Sequence, residues 1–155
     1  MMAMLEAESH VDGTTWGTPP RLFALTEGMP PGRPADHEHA AGTPDALILV
    51  PRELPGGDLA EALASTHWPE GVVGCVLVAE LTDLPARDED DTPIDPVAVG
   101  QWASARPDGR PARLAVGVRR NGDHVCGFRV KGEHDVEVRA DMATAGIVAT
   151  LLGTF

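Results

Sequence analysis

The amino-acid sequence predicts an α+β fold, in which a mostly antiparallel sheet of about five strands carries three to four helices packed on it. Helical patterns stand near both ends of the chain, with strand-like segments between them. An Asn-Gly pair lies between two of these segments and predicts a hairpin. The 155 residues, 43% of them hydrophobic, are enough for one core, so a single compact domain over 1–155 is expected.

The first third of the chain predicts a helix, two strands and a loop. Residues 2–12 place apolar side chains at helical spacing. "RLFALTE" (21–27) predicts a strand, and the Pro- and Gly-rich residues 28–45 predict a flexible loop. "ALILVPRE" (46–53) predicts a strand that either lies at a sheet edge or ends before its last residues, because Pro51 has no amide hydrogen to donate to a neighbouring strand.

The middle of the chain predicts a capped helix followed by a central strand. Asp58 can accept hydrogen bonds from first-turn amides while Glu61 reaches back, as in a capping box, and Pro69 ends the helix. "GVVGCVLVAEL" (71–81) is apolar at both alternating sets of positions. This pattern is typical of a strand that is covered on both faces.

After this strand the sequence predicts a flexible acidic loop over 82–95, which contains "RDEDD", and a short helix over 96–106. A last helix is expected near 140–152. Its apolar face is predicted from helical spacing to comprise Ala145, Val148 and Leu152.

The stretch "RLAVGVRRNGDHVCGFRV" (113–130) allows two hairpin registers. A two-residue turn at Asn121-Gly122 would put apolar and charged side chains on one face. A three-residue loop over 120–122, with Gly122 in the left-handed conformation, places the apolar side chains on the inward face and the charged side chains on the outward face. Each apolar side chain buried in this way stabilises the fold by about 1.5–3 kcal/mol, so the three-residue loop is favoured. It pairs Leu114 with Phe128, Val116 with Cys126, and Val118 with His124.

The favoured register also predicts a basic outward face. It sets Arg113 directly opposite Arg129, and like charges in that position destabilise a sheet unless an anion offsets them. The anion is either one of the chain's own acids, such as Asp88 to Asp91, or part of a bound partner. Residues 1–105 hold 18 acids and 4 bases, whereas residues 106–155 hold 6 acids and 8 bases. The predicted binding residues are Arg113, Arg119, Arg129, Lys131 and, beside the turn, His124.

Other motifs predict no catalytic residue, cofactor or metal site. His124 and Cys126 supply at most two of the roughly four ligands that zinc needs. His37 and His39 lie in a loop that does not preorganise them, and Asp88 to Asp91 lack the alternating oxygen ligands of a calcium loop. Whether either of these two groups binds a metal stays open.

The composition also excludes several partners. A formal net charge of −12 repels nucleic acid. No apolar run approaches the roughly 18 residues that cross a bilayer, and the acidic start "MMAMLEAESH" is unlike a signal peptide, so a cytoplasmic protein without membrane insertion is expected. The three tryptophans are predicted to lie in the core or at its edge rather than to stack on nucleic-acid bases. They are Trp16, Trp68 and Trp102.

Three blocks of the chain carry a family resemblance. They are "ESHVDGTTWGTPPRLFAL" (8–25), "ELPGGDLAEALASTHWPEGVVGCVLVAEL" (53–81) and "ARLAVGVRRNGDHVCGFRV" (112–130). In this order they resemble an actinobacterial family of small cytoplasmic proteins, named after a hypothetical protein of Propionibacterium acnes and without an assigned activity. The resemblance implies no catalytic residues. It implies a partner, since genes of the family often stand near those of a large membrane protein and a PDZ-type protease.

These observations predict a non-enzymatic cytoplasmic adaptor or chaperone-like module. It would bind an acidic protein surface, or a cytoplasmic segment of a membrane protein, through the basic outward face. One alternative is a small enzyme or anionic-ligand binder whose pocket joins His124, Arg119 and a carboxylate. Another is a structural homodimer in which the strand at 46–53 pairs across a two-fold axis.

Overall fold

A computed structural model describes residues 16–28, 47–54, 58–84, 101–102, 105–138 and 142–155. Six strands form one antiparallel sheet in the order β2-β1-β3-β4-β5-β6. The strands are β1 (Arg21–Glu27), β2 (Leu47–Arg52), β3 (Val72–Asp83), β4 (Arg110–Arg119), β5 (His124–Val130) and β6 (Glu137–Val138). Two helices accompany them, α1 (Leu59–Ala64) and α2 (Met142–Leu152).

The predicted fold of about five strands with three to four helices is therefore wrong in both numbers for the described part of the chain. The missed strand is β6, which pairs Val138 with Gly127 over two exposed residues and is too short to show an alternating pattern. Of the additional helices expected, 2–12 and most of 96–106 lie outside the described residues. Within 96–106, the described residues Gln101, Trp102 and Ala105 are helical.

The sheet has two faces, which we call the helix face and the arginine face. On the helix face, the core joins Leu77, Val116 and Phe128 of the strands to Leu63 of α1 and Leu151 of α2. The arginine face carries a second apolar cluster, made by Phe23, Leu25, Val76, Val78 and Ala115. Strand β3 contributes buried residues to both faces, which confirms its prediction as a central strand.

The hairpin of β4 and β5 adopts the favoured register. Leu114 pairs with Phe128, Val116 with Cys126, and Val118 with His124. The Gly122 amide donates to the Arg119 carbonyl over 2.9 Å, and Gly122 has a φ of +95°. The three-residue loop is confirmed, and Cys126 and Phe128 are buried as it requires.

Both helices differ in detail from the prediction. The cap of α1 is as predicted, since Asp58 accepts a hydrogen bond from the Ala60 amide over 3.1 Å. The end of the helix is where α1 differs. The helix stops at Ala64, well before Pro69, where the Ser65 and Thr66 hydroxyls donate to the Ala62 carbonyl and compete with the helical pattern. In α2 the predicted apolar face is rotated, because Ala145 is exposed, while the buried residues are Thr144, Val148 and Leu151.

Arg120 fastens the hairpin tip to the turn before β3. Its guanidinium donates to the carbonyl oxygens of Val72 over 3.2 Å and Pro69 over 3.0 Å. It also lies 4.8 Å from the ring centroid of Phe155. The tip, the 68–72 turn and the end of α2 are thereby joined at one end of the sheet.

Candidate functional site

The predicted pair of arginines lies on the arginine face, with an acidic neighbour in the next strand. Glu80 of β3, Arg113 of β4 and Arg129 of β5 are paired in register, so three charged residues stand side by side across three strands. The two arginines are direct neighbours, as the hairpin register predicts. The anion that offsets Arg113 belongs to the chain itself, since Arg113 Nη2 donates to Glu80 Oε1 over 3.2 Å.

Arg113 does not face solvent. Only 1% of the residue is exposed, and its guanidinium carbon lies 4.6 Å from the ring centroid of Trp16, a cation-π distance. A buried charge is stable only when it is paired and hydrogen bonded, which the Glu80 carboxylate provides. Arg113 is therefore a support beneath the surface and cannot itself contact a partner.

Glu80 also holds the segment that carries Trp16. Its carboxylate accepts from the Gly17 amide over 2.7 Å and from the Thr18 hydroxyl over 3.2 Å, in addition to Arg113. Burial by itself would raise the pKa of Glu80, but these hydrogen bonds outweigh it and lower the pKa below the usual value of 4.5. Glu80 is thus ionised at neutral pH and links the segment to the sheet.

Among the described residues, three side chains form the exposed part of this region. Trp16 and Arg129 are half-buried, and Lys131 is exposed with its ammonium 5.5 Å from the Trp16 ring centroid. The Lys131 amide donates to the Pro111 carbonyl over 2.8 Å, which fixes the backbone there. We call these three residues, with Arg113 beneath them, the Trp16 cluster.

Arg119 lies at the other end of the arginine face. It is six positions along β4 from Arg113, a span of about 20 Å. Arg119 Nη2 lies 3.7 Å from Glu27 Oε1, and both side chains are well exposed. They line an open groove of about 360 Å³, whose other lining residues are Val73, Arg120 and Asn121.

His124 is on the opposite face of the sheet. It pairs with Val118, whose side chain belongs to the helix-face core, whereas Arg119 belongs to the arginine face. The exposed imidazole has Nδ1 3.2 Å from the Gly122 carbonyl oxygen. The five predicted binding residues therefore separate into the Trp16 cluster with Arg113, Arg129 and Lys131, the groove with Arg119, and His124 alone.

Glu80 and Trp16 are the residues of this region that sequence reasoning missed. Glu80 is the single charge in the apolar run 71–81, and that position could have drawn attention to it. The sequence does not say which strand lies beside β4, however, so the pairing of Glu80 with Arg113 was not predictable. Trp16 was expected only as a core-edge residue.

The described residues contain no group of three or more His, Cys, Asp and Glu that could hold a metal ion. His37, His39 and Asp88 to Asp91 lie outside the described ranges. In the described part of the chain, no helix has the length and apolar character needed to cross a membrane.

The two cysteines, Cys75 and Cys126, form no disulfide and are buried on the helix face. Burial raises the pKa of the Cys75 thiol to about 12, although hydrogen bonds with Trp68 and Thr154 act in the lowering direction. The Trp68 indole itself donates to the Thr154 hydroxyl over 2.8 Å and closes the core above Cys75. A thiol with so high a pKa is a core residue, since the thiolate is the reactive form.

We accordingly expect neither cysteine to react with iodoacetamide in the native protein at mildly alkaline pH. Both should be alkylated once urea unfolds the chain, because both thiols then reach solvent and the pKa of Cys75 returns to its ordinary value. Mass spectrometry of the two samples measures this. Alkylation of Cys75 in the native protein at the unfolded rate would contradict the inert core assignment.

Comparison with protein families gives a match over the whole chain, to the model described as PPA1309-like protein, at residues 1–155. The curated proteins and the solved structures contain no match to this chain. The family is named after a hypothetical protein, and no activity is assigned to it. The full-length match agrees with the resemblance of the three sequence blocks, and the chain belongs to the PPA1309-like protein family.

Proposed function

We propose that this chain is a non-enzymatic cytoplasmic adaptor that binds an acidic segment of another protein through the Trp16 cluster. The observation that carries the proposal is the ion pair of the fully buried Arg113 with Glu80, directly beneath Trp16. This pair holds the Trp16 segment on the sheet, so a partner would meet a surface that is already ordered. Preorganisation of this kind lowers the entropy cost of binding.

The residue types of the Trp16 cluster support the same proposal. Tryptophan and arginine are enriched among the residues that dominate protein–protein binding energies. Lys131 and Arg129 add positive charge on a chain whose net charge is −12. Because salt screens charges beyond about 8–10 Å, a local basic cluster can attract an acidic segment at short range despite the acidic remainder.

The test uses a fluorescent Glu- and Asp-rich peptide as the probe and titrates it with the full chain. Lys131→Glu should weaken binding at least roughly fivefold, which corresponds to about 1 kcal/mol. The matched control is Arg119→Glu, an identical charge reversal at the other end of the arginine face, which should leave the affinity near that of the wild type. Affinity should also fall as salt is added.

Equal weakening by both variants would contradict the proposal, because it would mean that only the overall charge matters. No measurable binding of the acidic peptide to the wild type would contradict it too. Thermal melting of the variants checks that they fold, and we expect both to do so because each position is exposed.

The alternative of an anionic-ligand binder has weaker support. The groove brings together Arg119 and a carboxylate, but His124 is on the other face of the sheet. The guanidinium of Arg120 is already bonded to main-chain carbonyls. The homodimer alternative keeps one supporting observation, since β2 is an edge strand and Val50 is 41% exposed; the mass in solution tests it.

A further inference from the structure

The hairpin tip carries an exposed Asn-Gly pair. In such a pair the glycine amide nitrogen meets no side chain when it attacks the asparagine side-chain carbon. We propose that Asn121 is a deamidation site that the folded hairpin keeps latent, so that its reaction follows opening of the tip.

The reaction needs only water as a co-reactant. The Gly122 nitrogen bonds to Asn121 Cγ, the Cγ–Nδ2 bond breaks, and ammonia leaves with the proton that the Gly122 amide gives up. Water then opens the cyclic imide at one of its two carbonyls. The product is an aspartate or an isoaspartate at position 121, and no oxidation or reduction occurs.

Three hydrogen bonds keep the reacting atoms in other roles. The Gly122 amide donates to the Arg119 carbonyl over 2.9 Å. Asn121 Oδ1 accepts from the Asp123 amide over 3.1 Å, and Asn121 Nδ2 donates to Asp123 Oδ2 over 2.9 Å. The attacking nitrogen of Gly122 is thus hydrogen bonded to the preceding residue Arg119. The side-chain amide of Asn121 is hydrogen bonded to the following residue Asp123.

Attack requires the Gly122 amide to release the Arg119 carbonyl, because its nitrogen must lose its proton. We expect the two hydrogen bonds to Asp123 to break as well, when the Asn121 side chain turns its Cγ toward that nitrogen. If each of the three hydrogen bonds slows the reaction roughly fivefold, native Asn121 should deamidate roughly a hundredfold more slowly than the same residue in an unfolded chain. The reaction then reports how often the tip opens.

The products would change the end of the arginine face. Asn121 lines the groove beside Glu27, so either product adds a negative charge there. Isoaspartate also lengthens the main chain by one carbon within the loop, where the Arg119 amide donates to the Asp123 carbonyl over 2.7 Å. We expect that pairing to weaken, and with it the neighbouring attachment of Arg120.

The experiment incubates the full chain at mildly alkaline pH, native and in urea, and follows position 121 by peptide mass spectrometry. Asp123→Ala removes one of the three hydrogen bonds and should speed native deamidation roughly fivefold. Asp135→Ala is the matched control, because it removes an exposed carboxylate elsewhere and should leave the rate unchanged.

Equal rates in the native and the unfolded wild type would overturn the proposal. A folded Asp123→Ala variant, verified by circular dichroism, that reacts no faster than Asp135→Ala would overturn it as well. If Asp123→Ala does not fold, the comparison of native and unfolded wild type decides alone. None of these readouts involves a binding partner, so the result is independent of the proposed adaptor function.

Discussion

Replacement of Glu80 by alanine is expected to lower the free energy of unfolding by about 3 kcal/mol, the lower end of the range for breaking a buried ion pair. The side chain of Arg113 has no exposed surface, and the substitution removes a carboxylate that accepts from it. It also removes the acceptor of the Gly17 amide and the Thr18 hydroxyl. Urea unfolding of the two proteins measures the difference.

The matched control is Glu133→Ala. Glu133 Oε1 lies 3.2 Å from Arg110 Nη1, the same separation as in the buried pair, but both of these side chains are about half exposed. An exposed pair of this kind contributes about 0–1 kcal/mol. If Glu80→Ala and Glu133→Ala lowered the free energy of unfolding by similar amounts, the burial of Arg113 would not explain the effect of Glu80.

The stabilisation by Glu80 should depend on pH in a defined direction. The pKa of Glu80 is lowered in the folded protein, so its contribution is fully present above the usual pKa of 4.5 and is lost as the pH falls through the folded pKa. The difference between the wild type and Glu80→Gln should therefore shrink under acidic conditions. A difference that grows as the pH falls would contradict this sign.

Gly74→Ala is expected to be the other strongly destabilising substitution, by about 3 kcal/mol, the upper end of the usual overpacking range. A methyl group at Gly74 would lie 2.5 Å from the carbonyl oxygen of Val118 and 3.3 Å from the Arg119 Cα. Both are main-chain atoms of the adjacent strand, so relief requires β3 and β4 to move apart. Thermal and urea unfolding measure the effect.

Gly71→Ala provides the control for Gly74→Ala. Gly71 is only three positions earlier, and a methyl group there would meet nothing within 4 Å. The change should alter the free energy of unfolding by no more than about 0.5 kcal/mol, as is usual for surface positions. A stable Gly74→Ala protein would mean that the close approach of β3 and β4 is wrong.

These two predictions bear on the proposed function in different ways. Glu80 connects the Trp16 segment to the sheet, so its loss should disturb the Trp16 cluster as well as the stability. Gly74 is paired with Arg119 at the groove end of β3. Its substitution should therefore disturb the groove rather than the Trp16 cluster. A charge reversal at Arg113 and Arg129 together would not probe the surface alone, because Arg113 lies in the interior and its reversal is expected to destabilise the fold.

Local patterns determined much of the strand arrangement. The prediction of β1 agrees with Arg21–Glu27, and the edge position of β2 follows from Pro51. The hairpin register followed from one requirement, that the apolar side chains share a face, because a slip by one residue reverses every side chain. The capping role of Asp58 followed in the same way from its position before an apolar face.

The tertiary structure alone decided the number of strands and helices, and it decided what the arginines contact. Arg113 looked like a surface charge because its neighbour across the hairpin is Arg129. It is buried because β3 pairs with the other side of β4 and brings Glu80 to it. A short sequence window specifies which side chains alternate along a strand, but the partner of a buried charge comes from a distant segment. The sequence by itself therefore determined that Arg113 and Arg129 are neighbours. Only the tertiary structure determined that Arg113 is buried and paired with Glu80.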